Sequence, residues 1–149
     1  MQLLRSCSAR FRGYRDREAH SALTFYFDRN FGTKFPKAMK MLKPPFEVRW
    51  HQDEGFRENM PDDEWLNIVG ANRWIVCSHD AKWQMEAAAL KAIQQHKVGC
   101  FYLWGACLPS FYKFKSLAHN FDKIMNVCKN ERPPFIYRVT SGNRLKQVL

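Results

Sequence analysis

Absences narrow the reading of this sequence first. No uncharged apolar run reaches the ~18 residues that a membrane-spanning helix needs, which excludes a transmembrane helix. Glycine is sparse, with 7 residues in 149, and nowhere forms the Gly-rich loop that cradles a nucleotide phosphate. The five cysteines (Cys7, Cys77, Cys100, Cys107 and Cys128) include no C-x-x-C pair, and the histidines no H-x₃₋₅-H pair. Zinc and a Cys–His nucleophile therefore have no motif behind them. An odd count, with several thiols inside apolar runs, suggests free cysteines in a reducing, cytoplasmic compartment. Acid is also short, at 14 Asp+Glu against 24 Lys+Arg, for a formal charge of +10. There is no internal repeat and no low-complexity linker.

What remains fits one ordinary globular domain. A chain of this size buries roughly 68–70% of its unfolded surface and needs no disulfide or metal to fold. The hydrophobic content of 46%, with 15% aromatic, is far from the disordered class. The start, MQLLRSCSARFRGYRDR, is Arg-rich and has no apolar stretch of secretory length. It reads as a transit-like segment, a basic arm, or extra residues ahead of the domain. We divide the chain into a basic arm over 1–21 and a domain over 22–149 that ends in a basic tail.

Charge is segregated. Glu47, Asp53, Glu54, Glu58, Asp62, Asp63 and Glu64 hold half of the acids, whereas from Lys113 onward the only acids are Asp122 and Glu131. An acidic middle between basic ends suits a metal-binding pocket beside a phosphate-binding surface, and equally suits a solvated surface with some sign asymmetry.

Periodicity predicts strands over 23–27, 46–50, 74–77, 98–104 and 135–140. Between them it predicts helices over 33–42, 61–72 and 84–95, and one long amphipathic helix over 109–129. In that last helix Phe111, Phe114, Leu117, Phe121, Ile124, Met125 and Cys128 share a broad face. The alternation argues an α/β fold, three layers deep, on a mainly parallel sheet of four to five strands with right-handed crossovers.

In such a sheet, ligands bind outside the carboxyl ends of the strands. Asp28 directly follows the first strand and Asp80 follows the third. Asp62 and Asp63 open a helix that begins near the same edge. Each of these acids alone is also a turn residue or an N-cap. Gathered together, they repel one another unless a cation lies between them, and oxygen donors in that number suit Mg²⁺ or Mn²⁺. Such an ion activates water for attack on a phosphodiester. Arg29 and Lys82 adjoin these acids and could clamp an RNA phosphate. His79, beside Asp80, is a phosphate contact, a proton-transfer group or a plain surface histidine. Lys113, Lys115 and Arg138 interleave with Phe111, Tyr112, Phe114 and Tyr137, a mixture suited to single-stranded RNA. Helical spacing favours the core for Phe111 and Phe114.

Three strings, Phe25-Tyr26-Phe27-Asp28-Arg29-Asn30-Phe31, Asp62-Asp63-Glu64-Trp65-Leu66 and Trp74-Ile75-Val76-Cys77-Ser78-His79-Asp80, resemble the PIN-like domains of VapC-type toxins. The resemblance spans roughly Leu23 to Trp104. It implies a PIN-like α/β/α fold, Mg²⁺ or Mn²⁺ held by clustered acids, and an endoribonuclease restrained by a cognate antitoxin, in a family whose members commonly form homodimers. By that resemblance Asp28, Asp62 and Asp80 are the catalytic metal ligands, and Ser78 is the hydroxyl that orients a ligand or a metal-bound water. The chain departs from the family after the fourth strand, where Tyr102-Leu103-Trp104-Gly105-Ala106 offers no acid. Glu86 is then the auxiliary acid. The departure leaves a rival reading, a catalytically degenerate PIN-like module that binds RNA or protein. A receiver-like phosphoacceptor role for Asp28 lacks the later paired Lys.

Overall fold

The computed structural model describes residues 23–79 and 86–149. The Arg-rich arm, Asp80 and Lys82 lie outside the described residues. The first strand, β1 (Thr24–Phe27), is a β-branched and aromatic segment with every residue buried, as a strand covered on both faces requires. It leads through a 3₁₀ turn (Arg29–Phe31) into α1 (Lys34–Met41). Then follow β2 (Glu47–Trp50), α2 (Asp62–Ala71), β3 (Ile75–Ser78), α3 (Ala87–His96) and β4 (Gly99–Leu103). The chain continues through α4 (Ser110–His119), α5 (Phe121–Asn130), β5 (Phe135–Val139) and β6 (Leu145–Gln147).

The six strands form one sheet in the order β2-β1-β3-β4-β5-β6. Neighbours from β2 to β5 run parallel, and β6 pairs antiparallel with β5. The α/β expectation holds, with one strand more than the sequence suggested. Part of the basic tail is therefore the short edge strand β6.

Period-2 alternation sorts the strand residues between two cores. Phe25, Phe27, Phe101, Phe135 and Val139 pack with Phe35 and Met39 of α1, Leu117 of α4, and Ile124 and Val127 of α5. Tyr26, Val76, Cys100, Tyr102 and Ile136 pack with Trp65, Leu66 and Val69 of α2, and with Ala89, Ala92 and Ile93 of α3. The helices α2 and α3 approach closely because Gly70 stands at their contact. A Cβ there would lie 2.2 Å from the His96 carbonyl oxygen.

Two expectations need correction. The single helix over 109–129 is two helices that meet at Asn120. This side chain is fully buried and donates to the Ser116 carbonyl at 2.9 Å, a side-chain bond that competes with the helical ladder and bends it. The crossovers also cannot all be right-handed. The β3–β4 and β4–β5 connections step the same way across the sheet, yet α3 covers one face while α4 and α5 cover the other. The two connections therefore have opposite hands. With α2 and α3 on the far side, α1 alone would leave Phe101, Leu103 and Tyr137 bare, and the α4–α5 pair covers them.

Candidate functional site

Strands β1 and β3 are neighbours, yet β1 leads to α1 on one face and β3 to α3 on the other. That divergence opens a crevice at their carboxyl ends, the usual ligand position of an open α/β sheet. Asp28 follows β1 there and Ser78 closes β3. The β1–β3 ladder pairs Phe27 with Cys77 and continues with the Asp28 N–H donating to the Cys77 carbonyl at 3.3 Å.

Asp28 is 2% exposed and Ser78 is fully buried. The Ser78 hydroxyl donates to Asp28 Oδ2. The other oxygen, Oδ1, accepts from the Asn30 N–H at 2.9 Å and so caps the 3₁₀ turn. Two donors on one carboxylate fix its rotamer and satisfy its burial. The turn is held in place by His79, whose Nε2 lies 2.8 Å from the Asn30 carbonyl and whose ring meets Phe31 edge-on at 4.7 Å.

Asp62 reaches the same side of the sheet from the first turn of α2, where the macrodipole favours acid. Its Oδ1 accepts from Trp65 Nε1 at 3.0 Å. Arg29 faces it at 3.7 Å while donating to the Glu58 and Met60 carbonyls at 2.7 and 3.2 Å. Arg29 thus ties the turn after β1 to the loop that delivers α2. Beneath them lies Tyr26, stacked on Trp65 at 5.3 Å. Burial, reinforced by the negative charges of Asp28 and Glu54, pushes the Tyr26 phenol far above its ordinary range. The same burial raises Cys77 and Cys100, so neither is a thiolate nucleophile.

The remaining expected residues scatter. Lys113 is buried on α4 with its ammonium 5.9 Å from the Phe31 ring, a cation–π contact at the margin of the site. Lys115 and Arg138 are exposed. Glu86 stands exposed just before α3 and makes no side-chain cap. Among the described residues, no three of His, Cys, Asp and Glu converge as a metal-binding group, and Asp80, the third expected ligand, lies outside them. Phe111, expected in the core, is instead 68% exposed on the first turn of α4.

Sequence reasoning gave His51 no role, yet it is a 1% exposed bridge. Its Nδ1 lies 2.8 Å from the Tyr26 hydroxyl and its Nε2 lies 2.7 Å from the Arg57 carbonyl. His51 thereby pins the loop that carries Asp62 to the strand that carries Asp28. The available signal was a histidine directly after an edge strand, at the same carboxyl edge as Asp28.

No described helix is long and apolar enough to cross a membrane. No curated protein and no solved structure matches the chain. A family described as "PIN like domain" matches residues 23–105, which carry β1 through β4 and the whole Asp28 crevice. That stretch is more than half of the 149 residues, and the chain belongs to the PIN like domain family.

Proposed function

We propose that the chain is a Mg²⁺- or Mn²⁺-dependent endoribonuclease, the toxin of a VapC-type toxin–antitoxin pair, acting on RNA in the cytoplasm. The observation that carries this reading is the buried Asp28–Ser78 pair in the crevice between β1 and β3, with the Asp62 helix start on the same side. Asp28, Asp62 and Asp80 offer the hard oxygen donors that these ions prefer, so the donor chemistry fits, with Glu86 as auxiliary acid. A bound ion would acidify a water and offset phosphate charge.

The chain's own residues prepare that chemistry. Ser78 and the Asn30 N–H hold Asp28 in one orientation. Arg29, paired with Asp62 in the free protein, exchanges that partner for a phosphate oxygen when RNA enters, a stronger bidentate contact. Lys82, Lys113, Lys115 and Arg138 add positive charge for the RNA backbone. A cognate antitoxin, and self-association into a homodimer, belong to the same reading.

The test is cleavage of single-stranded RNA in Mg²⁺, with and without EDTA. Asp28→Asn is expected to abolish cleavage while the protein still melts cooperatively. Parent-rate cleavage by this variant, or cleavage indifferent to EDTA, overturns the assignment. A small DNA-binding protein encoded beside this chain should suppress the cleavage.

A second reading is a degenerate PIN-like module that binds without cutting. The Arg29 guanidinium facing Asp62 and the lack of acid in residues 104–106 favour it. It expects retained RNA affinity, no cleavage, and no Mn²⁺ uptake in a titration.

A further inference from the structure

A second cleft opens one strand along from the Asp28 crevice. It is about 380 Å³ in volume and is lined by His79, residues 102–108 and Arg138. The reversed crossover explains its position: β3 and β4 are neighbours whose connections leave toward opposite faces, so their carboxyl ends form a further switch point. Its volume falls within the range of small-ligand sites.

Three observations say what it takes. The first is register. Ser78 pairs with Tyr102, Tyr102 with Arg138, and Arg138 with Lys146, in one row straight across the sheet. Asp28 lies beyond Ser78 on the same line. At roughly 4.8 Å per strand, Asp28 and Arg138 stand about 14 Å apart, so one extended strand of nucleic acid can touch both. Along the row the charge turns from the carboxylate to two exposed cations, Arg138 and Lys146.

The second observation is aromatic exposure. Trp104 follows β4, its N–H bonded to the Val139 carbonyl at 3.1 Å, and it remains 46% exposed. Among the described residues the exposed large aromatics are Trp104, Phe111 and Tyr112, all in the segment following β4. Of these three only Trp104 lines the cleft, where its exposed ring offers a flat apolar face.

The third is a wall whose described residues carry no acid. Gly105 turns the chain at φ +96°, and the Leu108 N–H closes the turn on the Gly105 carbonyl at 2.9 Å. No described lining residue is acidic.

We infer that this cleft is a subsite for one nucleotide of single-stranded RNA, in which a base stacks on Trp104 and Arg138 holds the adjoining phosphate. The inference rests on the ribonuclease reading for its substrate. It deepens that reading by placing one stacked base beside β4, since a base inside a duplex cannot reach an aromatic face.

The experiment is fluorescence anisotropy of a labelled single-stranded oligoribonucleotide, and of the same strand in a duplex, measured in EDTA so that nothing is cut. The parent protein should prefer the single strand. Trp104→Ala should weaken that complex about 5- to 150-fold, the range for one lost base stack, and Trp104→Phe should restore most of it. Arg138→Gln should lower the salt slope by about 0.7, one phosphate contact on a single strand. Melting curves check that each variant folds. Single-strand affinity unmoved by Trp104→Ala overturns the subsite. Cleavage scored separately keeps the two ideas apart. A parent protein that never cuts, yet loses RNA with Trp104→Ala, keeps the subsite and discards the enzyme. Cleavage lost only in Asp28→Asn, with unchanged binding in Trp104→Ala, does the reverse.

Discussion

The two faces of the sheet differ in kind. On the α1, α4 and α5 side the strands contribute Phe25, Phe27, Phe101, Leu103, Phe135 and Val139, an apolar layer with no ionisable group other than Cys77 and Tyr137. On the α2 and α3 side the same strands offer Tyr26, Tyr102 and, at their ends, Asp28 and Ser78. One layer holds the fold together, and the other both holds it and presents chemistry. A strand's two-residue period makes this division possible, since neighbouring residues on one strand serve different ends.

The strongest perturbation lies on the apolar side. Phe101 is fully buried between Phe135 and Tyr137, with ring centroids at 5.6 and 5.9 Å. Phe101→Ala should cost about 3–5 kcal/mol of stability, read as a lower urea midpoint. RNA cleavage per folded molecule should stay unchanged. A specific activity that falls with the stability would mean that the two faces are not separable.

A smaller effect is expected from the other side. Tyr26→Phe removes the hydroxyl that His51 engages and leaves a buried ring nitrogen unpaired, a loss of about 1–3 kcal/mol. Because His51 also holds the loop that delivers Asp62, this variant should lose RNA cleavage beyond its loss of folded protein. Equal effects on stability and activity would reduce Tyr26 to a core residue.

A further effect is alkaline. Tyr26, Cys77 and Cys100 all have their ionisation raised by burial in the folded state. Above about pH 9 the unfolded chain therefore binds fewer protons than the folded one, and stability must fall as pH rises. Urea midpoints at pH 8 and pH 10 should show the decline. Cys100→Ala should flatten it in part, because the thiols ionise at lower pH than a phenol in the unfolded chain and carry most of the decline in this window. A midpoint indifferent to pH in that window would show that these groups are not held neutral.

Much of this was legible in the sequence because the carrying residues are local. Asp28 and Ser78 sit directly at the ends of apolar runs, and strand order alone brings such residues to one edge. The start of α2 at Asp62 follows from Pro61 and three consecutive acids. The departures came from tertiary context. Periodicity continues unbroken through Asn120, and only the buried bond to Ser116 shows where the helix divides. The apolar spacing of Phe111 is genuine, but spacing alone does not tell that this residue stays in water. The Arg29–Asp62 contact joins residues 33 apart in sequence, and no local pattern encodes it.

The rims of the sheet carry a last consequence. One border is β2, four residues long, preceded by Pro44-Pro45 and charged by Glu47 and by Arg49, whose guanidinium pairs with both Glu47 and Glu54 at 2.9 Å. The other is β6, three residues long, with Lys146 at its centre. Short, charged margins give a neighbouring molecule no template for strand addition, which protects an otherwise aromatic-rich sheet from edge-to-edge aggregation. Among the described residues, that leaves the helix faces rather than the strand edges as surfaces for self-association.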